Sequence, residues 1–250
     1  MNSIPGEAWT TIGGGNRQGG ILIIADHASG HVPPDVDLGI EPDVLTLHVA
    51  IDIGVAPLAE ALCGRLDGEA ILGGVSRLVC DFNRDETAPG LFPIASDGIA
   101  IPGNVLDDAG REARLARFFR PYHAAVAERI AGLEPVLLVS LHSFTPRLEA
   151  HPDQARPWQI GILYNHDERA ARIAIPLLEA DGIVTGDNEP YSGRVLNATM
   201  NRHAEMAEIP YLGIEVRQDL IGEAAGIAHW AERLAPVIEA TRDAIAEWSR

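Results

Sequence analysis

Histidines and carboxylates stand at the ends of apolar runs that are far apart along this chain. ILIIADHASGH places His27 and His31 just past one run, and LLVSLHSF places His142 at the end of another. LGIEVRQD places Glu215 within or at the end of a third, where a buried carboxylate is costly unless it has a task. Strands that deliver polar side chains at their C-terminal edge are how open α/β sheets build sites. Histidines and a carboxylate converging from separate strands are the donor set of a catalytic zinc centre with one position left for water. The chemistry this implies is metal-assisted hydrolysis.

Further candidates cluster near these. His48 and Asp52 are four apart in LTLHVAIDIG, so a helix there would put both on one face. CDFNRDE offers Asp81, Asn83 and Arg84, and an Arg beside an Asn makes a good clamp for a carboxylate. YSGRVLNATMNRH brings Tyr191, Arg194, Asn201, Arg202 and His203 into one segment dense in hydrogen-bond donors. Each has a plainer reading: a turn histidine, a His–Asp capping pair, a salt bridge inside the CDFNRDE turn, an ion pair of Glu215 with Arg217, a polar surface loop. His123, His151, His166 and His229 sit on expected helices or loops and read as ordinary.

The elements that must position these groups alternate. Strand-like runs are expected at 21–25, 69–73, 77–82, 136–141, 158–164, 183–186 and 210–216. Helical patterns are expected at roughly 43–66, with a break near Gly54 to Pro57, and at 108–133, 167–180 and 223–248. Strands separated by helices of this length predict a three-layer α/β/α fold around a mixed, mostly parallel sheet. Residues 1–20 read as a flexible lead-in, and 21–250 as a single domain. The glycines at 13–15 and 19–20 precede a strand instead of following one, so they do not make a dinucleotide fingerprint. The Gly- and Pro-rich stretches at 85–106, 145–157 and 187–197 follow the polar motifs directly, as site walls do.

Composition narrows the class. A chain of 250 residues with 46% hydrophobic content can bury one substantial core. A formal net charge of -17 argues against nucleic acid as a partner. All 19 basic residues are arginine, which removes Schiff-base lysine and P-loop chemistry and leaves guanidinium groups as the permanent cations. Cys63 and Cys80 lie in apolar segments without CxxC spacing and read as buried, reduced thiols. No signal pattern opens the chain, and no apolar run reaches the roughly 20 residues of a membrane span, so a cytoplasmic protein without a membrane partner is expected. GxSxG and HExxH are both absent.

Taken in order, ADHASGH, HVAIDIG, SRLVCDFNRDE, SLHSFTP, EPYSG and GIEVRQD resemble the N-formylglutamate amidohydrolase family over roughly residues 20 to 222. The resemblance implies a zinc-dependent carboxypeptidase-like fold. It also implies hydrolysis of an N-acyl amino acid, with N-formyl-L-glutamate the namesake substrate. By position, His27 and His142 match the family's metal-binding histidines, while Glu215 matches the general base of the wider carboxypeptidase-like fold and Asn83 with Arg84 resembles that fold's pair for a substrate carboxylate. The carboxypeptidase pattern has a glutamate three residues after the first histidine, where this chain has Gly30. The third zinc ligand is therefore expected from Asp52, with His31 and His48 as alternatives. Arg217, or an arginine of the 191–203 segment, is expected to steady the oxyanion. Tyr191, Arg194 and Arg202 are expected around the substrate, with Arg194 or Arg202 on its side-chain carboxylate. The partner is then a small-molecule carboxylate. A zinc hydrolase of a different amide, and a non-catalytic ligand-binding protein on the same fold, are the rival readings.

Overall fold

The structure is a computed structural model and describes residues 7–14 and 19–248. In chain order the strands are β1 (Trp9–Gly13), β2 (Ile21–Ala25), β3 (Glu69–Gly73), β4 (Ala95–Ser96), β5 (Ile99–Ala100), β6 (Leu137–Phe144), β7 (Ile160–Leu163), β8 (Thr185–Asp187) and β9 (Tyr211–Arg217). The α-helices are α1 (Val55–Leu66), α2 (Asp108–Arg114), α3 (Arg120–Leu133), α4 (Arg169–Ala180), α5 (Ala198–His203) and α6 (Ala224–Trp248). A turn of π-helix, Leu115–Phe119, joins α2 to α3.

Seven strands form one sheet in the order β1-β3-β2-β6-β9-β7-β8, and β4 with β5 makes a separate hairpin. Pairing is parallel at β2–β3, β2–β6, β6–β9 and β7–β8, and antiparallel at β1–β3 and β7–β9. Every residue of β2, β3, β6 and β7 is buried, the pattern of strands covered on both faces. Helix α6 packs against both α1 and α4 to form one helical layer, and α3 packs toward β2. The result is the three-layer α/β/α architecture with a mixed, mostly parallel sheet. No helix among the described residues is long and apolar enough to cross a membrane.

Three expectations change. Part of the expected lead-in is β1, an edge strand that pairs with β3 in register from Trp9–Gly73 to Gly13–Glu69; residues 1–6 and 15–18 lie outside the described residues. The run at 77–82 is no strand. Leu78, Val79, Cys80 and Phe82 are buried, but their backbone turns back on Ser76, whose carbonyl accepts from the Val79 and Cys80 N–H groups. An apolar run reports burial, and burial alone does not select extended backbone. Finally, His48 and Asp52 share no helical face: a 3-10 turn covers Pro42–Thr46, and α1 begins only at Val55. Pro57 falls in the first turn of α1, where its missing N–H costs nothing. Cys63 and Cys80 are free and buried.

Candidate metal centre and its cavity

The register of the sheet brings the site together. His142 and Glu215 are direct partners across the parallel β6–β9 pair, so both side chains leave the same face at the same height. His142 lies inside β6, two residues short of its end, not past it. Strand β2 is next to β6, and the chain continues from its last residue, Ala25, into Asp26 and His27. Asp52 arrives on the loop before α1. Its N–H donates to the His27 carbonyl at 3.0 Å, which ties that loop to the end of β2. Gly54 then turns the chain at φ 82, and a Cβ there would stand 2.2 Å from the Ile221 carbonyl oxygen. Only glycine fits.

His27, Asp52 and His142 are all buried, and one ligand atom from each lies within 4.8 Å of the others. Asp52 Oδ2 is 2.9 Å from His142 Nδ1 and 3.4 Å from His27 Nδ1. Ligand atoms on a tetrahedral zinc with bonds of 2.0–2.2 Å stand about 3.4 Å apart, so the three donors sit nearly as a shared ion would hold them. The far nitrogens support this. His27 Nε2 is 2.7 Å from Asp81 Oδ1, and His142 Nε2 is 3.6 Å from Asp26 Oδ2. A carboxylate behind each imidazole is the arrangement that fixes the tautomer and aims the opposite nitrogen at a metal. The donor set therefore fits a divalent ion such as zinc.

Electrostatics agree. Burial works against ionisation of Asp52, but His27 and His142 beside it prevail and hold its carboxyl well below the usual range. Burial likewise opposes Asp81, and Arg77 and His27 hold it low. His142 is pushed well above its ordinary value because Asp26 and Asp52 outweigh burial. A spot that favours a proton on a buried ring also favours a cation bound to it. Glu215 behaves differently. Burial pushes it up to about 7, and its Oε2 has no hydrogen-bond partner.

A cavity of about 330 Å³ opens over this group and is lined by His27, Asp52, His142 and Glu215 on its floor. Asn83, Arg84 and Tyr191 also line it. The Asn83 Oδ1 accepts from the Thr199 N–H at 3.0 Å, which turns its amide as a donor. Tyr191 accepts from Arg156 at 3.0 Å, leaving its own proton to give. Among the described residues Arg84 pairs with Asp81 alone, through Nε at 3.5 Å. His48 reaches the cavity and bonds Asp97 Oδ2 at 3.0 Å. Asp97, on the β4–β5 turn, also accepts from the backbone N–H groups of Glu149 and Ala150, pinning that loop to the hairpin.

Other expected residues lie elsewhere. Arg217 is bound to Asp219 at 2.7 and 3.2 Å and to the Trp158 carbonyl, and does not line the cavity. It sits at the last position of β9, where the chain turns and the nearest carboxylate captures it. Arg202 stacks over Phe119 at 5.0 Å, and Arg194 is exposed; neither lines the cavity. His31 is exposed and lines a different depression. Gly30 has no room for the carboxylate a metallocarboxypeptidase would carry there, since a Cβ would come 2.6 Å from the Leu45 carbonyl oxygen.

Sequence reasoning missed Arg77, whose guanidinium bridges Asp52 Oδ1 at 3.4 Å and Asp81 Oδ2 at 3.1 Å. It also missed Asp97 and the lining residue His151. An arginine four residues before an aspartate was the available signal for Arg77.

The model of the N-formylglutamate amidohydrolase family matches residues 19–222. The chain belongs to the N-formylglutamate amidohydrolase family. Membership makes it an amidohydrolase. Among solved structures, the gene product Atu2144 of Agrobacterium tumefaciens is 31% identical, with a TM-score of 0.88 and 98% of this chain and 97% of that one covered. The N-formylglutamate amidohydrolase of Ralstonia eutropha shares the fold at 18% identity, with a TM-score of 0.73 and 96% and 99% covered. No curated protein matches this family member in sequence.

Proposed function

We propose that this chain is a metal-dependent hydrolase that cleaves the amide bond of an N-formyl or other N-acyl amino acid. The observation that carries the reading is the convergence of His27, Asp52 and His142 beside the unpartnered Glu215 carboxylate on a cavity floor. His27 and His142 would hold the ion through Nδ1 and Asp52 through a carboxylate oxygen. A bound Zn²⁺ would supply Lewis acidity there, making a water easier to deprotonate near pH 7 and polarising the amide carbonyl.

The protein's own groups do the rest. Glu215, raised to about 7, takes the proton of the attacking water as the carbon–oxygen bond forms. It returns that proton to the amide nitrogen as the carbon–nitrogen bond breaks, giving a carboxylic acid and a free amine. Arg84 and Asn83 hold the α-carboxylate, the guanidinium by its fork and the amide by one more donor. Tyr191, its oxygen already engaged by Arg156, donates toward the developing oxyanion, the part expected of Arg217.

The test is release of amine from N-formyl-L-glutamate and from neutral N-formyl amino acids by zinc-reconstituted protein, with Glu215→Gln as control. Turnover that falls at least about 10²-fold in the variant while its zinc content holds is the expected result. Full activity in the variant removes Glu215 from the reaction, and no turnover of any N-acyl amino acid refutes the hydrolase reading.

A further inference from the structure

Resting on the hydrolase reading above, we propose that the cavity selects N-acyl amino acids with a single carboxylate and an uncharged side chain, against the dicarboxylate for which the family is named. The argument is a count of where permanent positive charge is available. Among the described residues the cavity lining contains two arginines, Arg77 and Arg84. Arg77 is spoken for, since its two terminal nitrogens reach the Asp52 and Asp81 carboxylates. The one ion pair of Arg84 among the described residues is through Nε, 3.5 Å from Asp81, so its terminal nitrogens form the one guanidinium fork open to a ligand among the described lining residues. One fork takes one carboxylate.

The arginines that a second carboxylate would need are elsewhere. Arg202 covers the Phe119 ring, Arg217 is closed on Asp219, and Arg194 is exposed outside the lining. Arg156 stands behind Tyr191, with one terminal nitrogen bound to the Tyr191 oxygen and the Thr145 carbonyl.

The rest of the lining mixes apolar side chains, Phe144 and Leu148 among them, with the hydroxyls of Ser96, Ser143 and Thr145 and with His48, Asp97 and His151. His48 is already engaged at Nε2 by Asp97, 3.0 Å away. Asp97 itself is satisfied by His48 and two backbone N–H groups, so it does not call for a cationic side chain either. A substrate carboxylate pushed toward this wall would lose water and meet an aspartate in place of a cation, which is strongly unfavourable. An aliphatic, aromatic or amide side chain meets apolar groups and neutral hydroxyls at no such cost.

The experiment compares kcat/KM of the zinc-loaded protein for N-formyl-L-leucine, N-formyl-L-glutamine, N-formyl-L-glutamate and N-formyl-L-lysine. Glutamine and glutamate are nearly isosteric, so their ratio reads charge alone. Leucine and glutamine should exceed glutamate by about 10-fold or more, the usual worth of an unpaired buried charge at a site. Leu148→Arg, which adds a cation to the loop wall, should shift the ratio toward glutamate by about 10-fold.

Glutamate turned over as well as glutamine, or lysine preferred to both, overturns the proposal. If none of the four is hydrolysed, the hydrolase reading fails, and binding to zinc-loaded Glu215→Gln protein, measured by calorimetry, still decides specificity. Tighter binding of the leucine and glutamine compounds upholds it, and equal or tighter binding of glutamate overturns it.

Discussion

Tyr122 donates a 2.6 Å hydrogen bond to the Asp26 carboxylate, joining α3 to the end of β2 across 96 residues of sequence. Both groups are fully buried, and Asp26 in turn faces His142 Nε2. The phenol therefore sits behind the carboxylate that sits behind a proposed metal ligand. Tyr122→Phe should keep the fold, since the ring still stacks on Phe82 at 4.1 Å, and should weaken zinc binding about 10-fold. Competition with a chelator of known affinity measures this. Unchanged affinity would make the contact purely structural.

His142→Ala should lose the ion outright, because one of three donors disappears and its partner Asp52 is left without that bond. Zinc per chain, read by elemental analysis after dialysis, is expected to fall from one toward zero. His31→Ala, altering a histidine outside the cavity, should leave the content unchanged. Equal zinc in wild type and His142→Ala would refute the ligand assignment.

Arg84→Ala should raise KM by about 10- to 100-fold for substrates with a free α-carboxylate, the usual worth of a hydrogen-bonded charge pair, with a smaller effect on kcat. The matching α-carboxamides serve as controls. Equal losses on acid and amide would mean that Arg84 shapes the wall through Asp81 and does not touch the substrate.

The pair His123 and His203 should make the fold acid-sensitive. Their rings meet at 2.9 Å, and burial above all drives them down from 6.5, to about 3 and about 4. Asp26 nearby favours protonation of both and Arg202 opposes it, but neither outweighs burial. The unfolded chain regains ordinary histidines, so it binds more protons than the native state below pH 6.5. Stability then falls as pH drops through that window, by up to about tenfold in the folding equilibrium per pH unit and per group. Glu215, raised to about 7, works in the opposite sense over part of it. The readout is therefore the difference in urea midpoint between wild type and His203→Gln at pH 7, 5.5 and 4.5. The variant should lose less on acidification, and identical slopes would show that the pair does not titrate on unfolding.

What could be read from the sequence was whatever a strand imposes. His27, His142 and Glu215 stand out because a polar group in or just after an apolar run is energetically conspicuous, and Asp52 was favoured only through the resemblance, which leaves Gly30 where the carboxypeptidase pattern has a ligand. Asp26 and Asp81 were not legible as partners of the two histidines. An aspartate beside a histidine or an arginine looks like a turn residue until the third dimension places it behind a ring. Arg194, Arg202 and Arg217 failed for the converse reason. A loop arginine has long reach, and nothing local says whether Phe119, Asp219 or the cavity will claim it. Strand β1 was hidden because its pairing is with β3, some sixty residues on, and its own flanks are glycine-rich.

Asp97 gives the molecule a division of labour that its descendants would inherit. The groups proposed for bond cleavage ride on the sheet and the loop before α1, whereas much of the wall proposed to meet the substrate side chain belongs to the β4–β5 hairpin and the loop at 144–151. One carboxylate rivets those two segments together. They therefore drift as a single module: an insertion in either would displace both and retune which amino acid is accepted, with the reaction itself left intact.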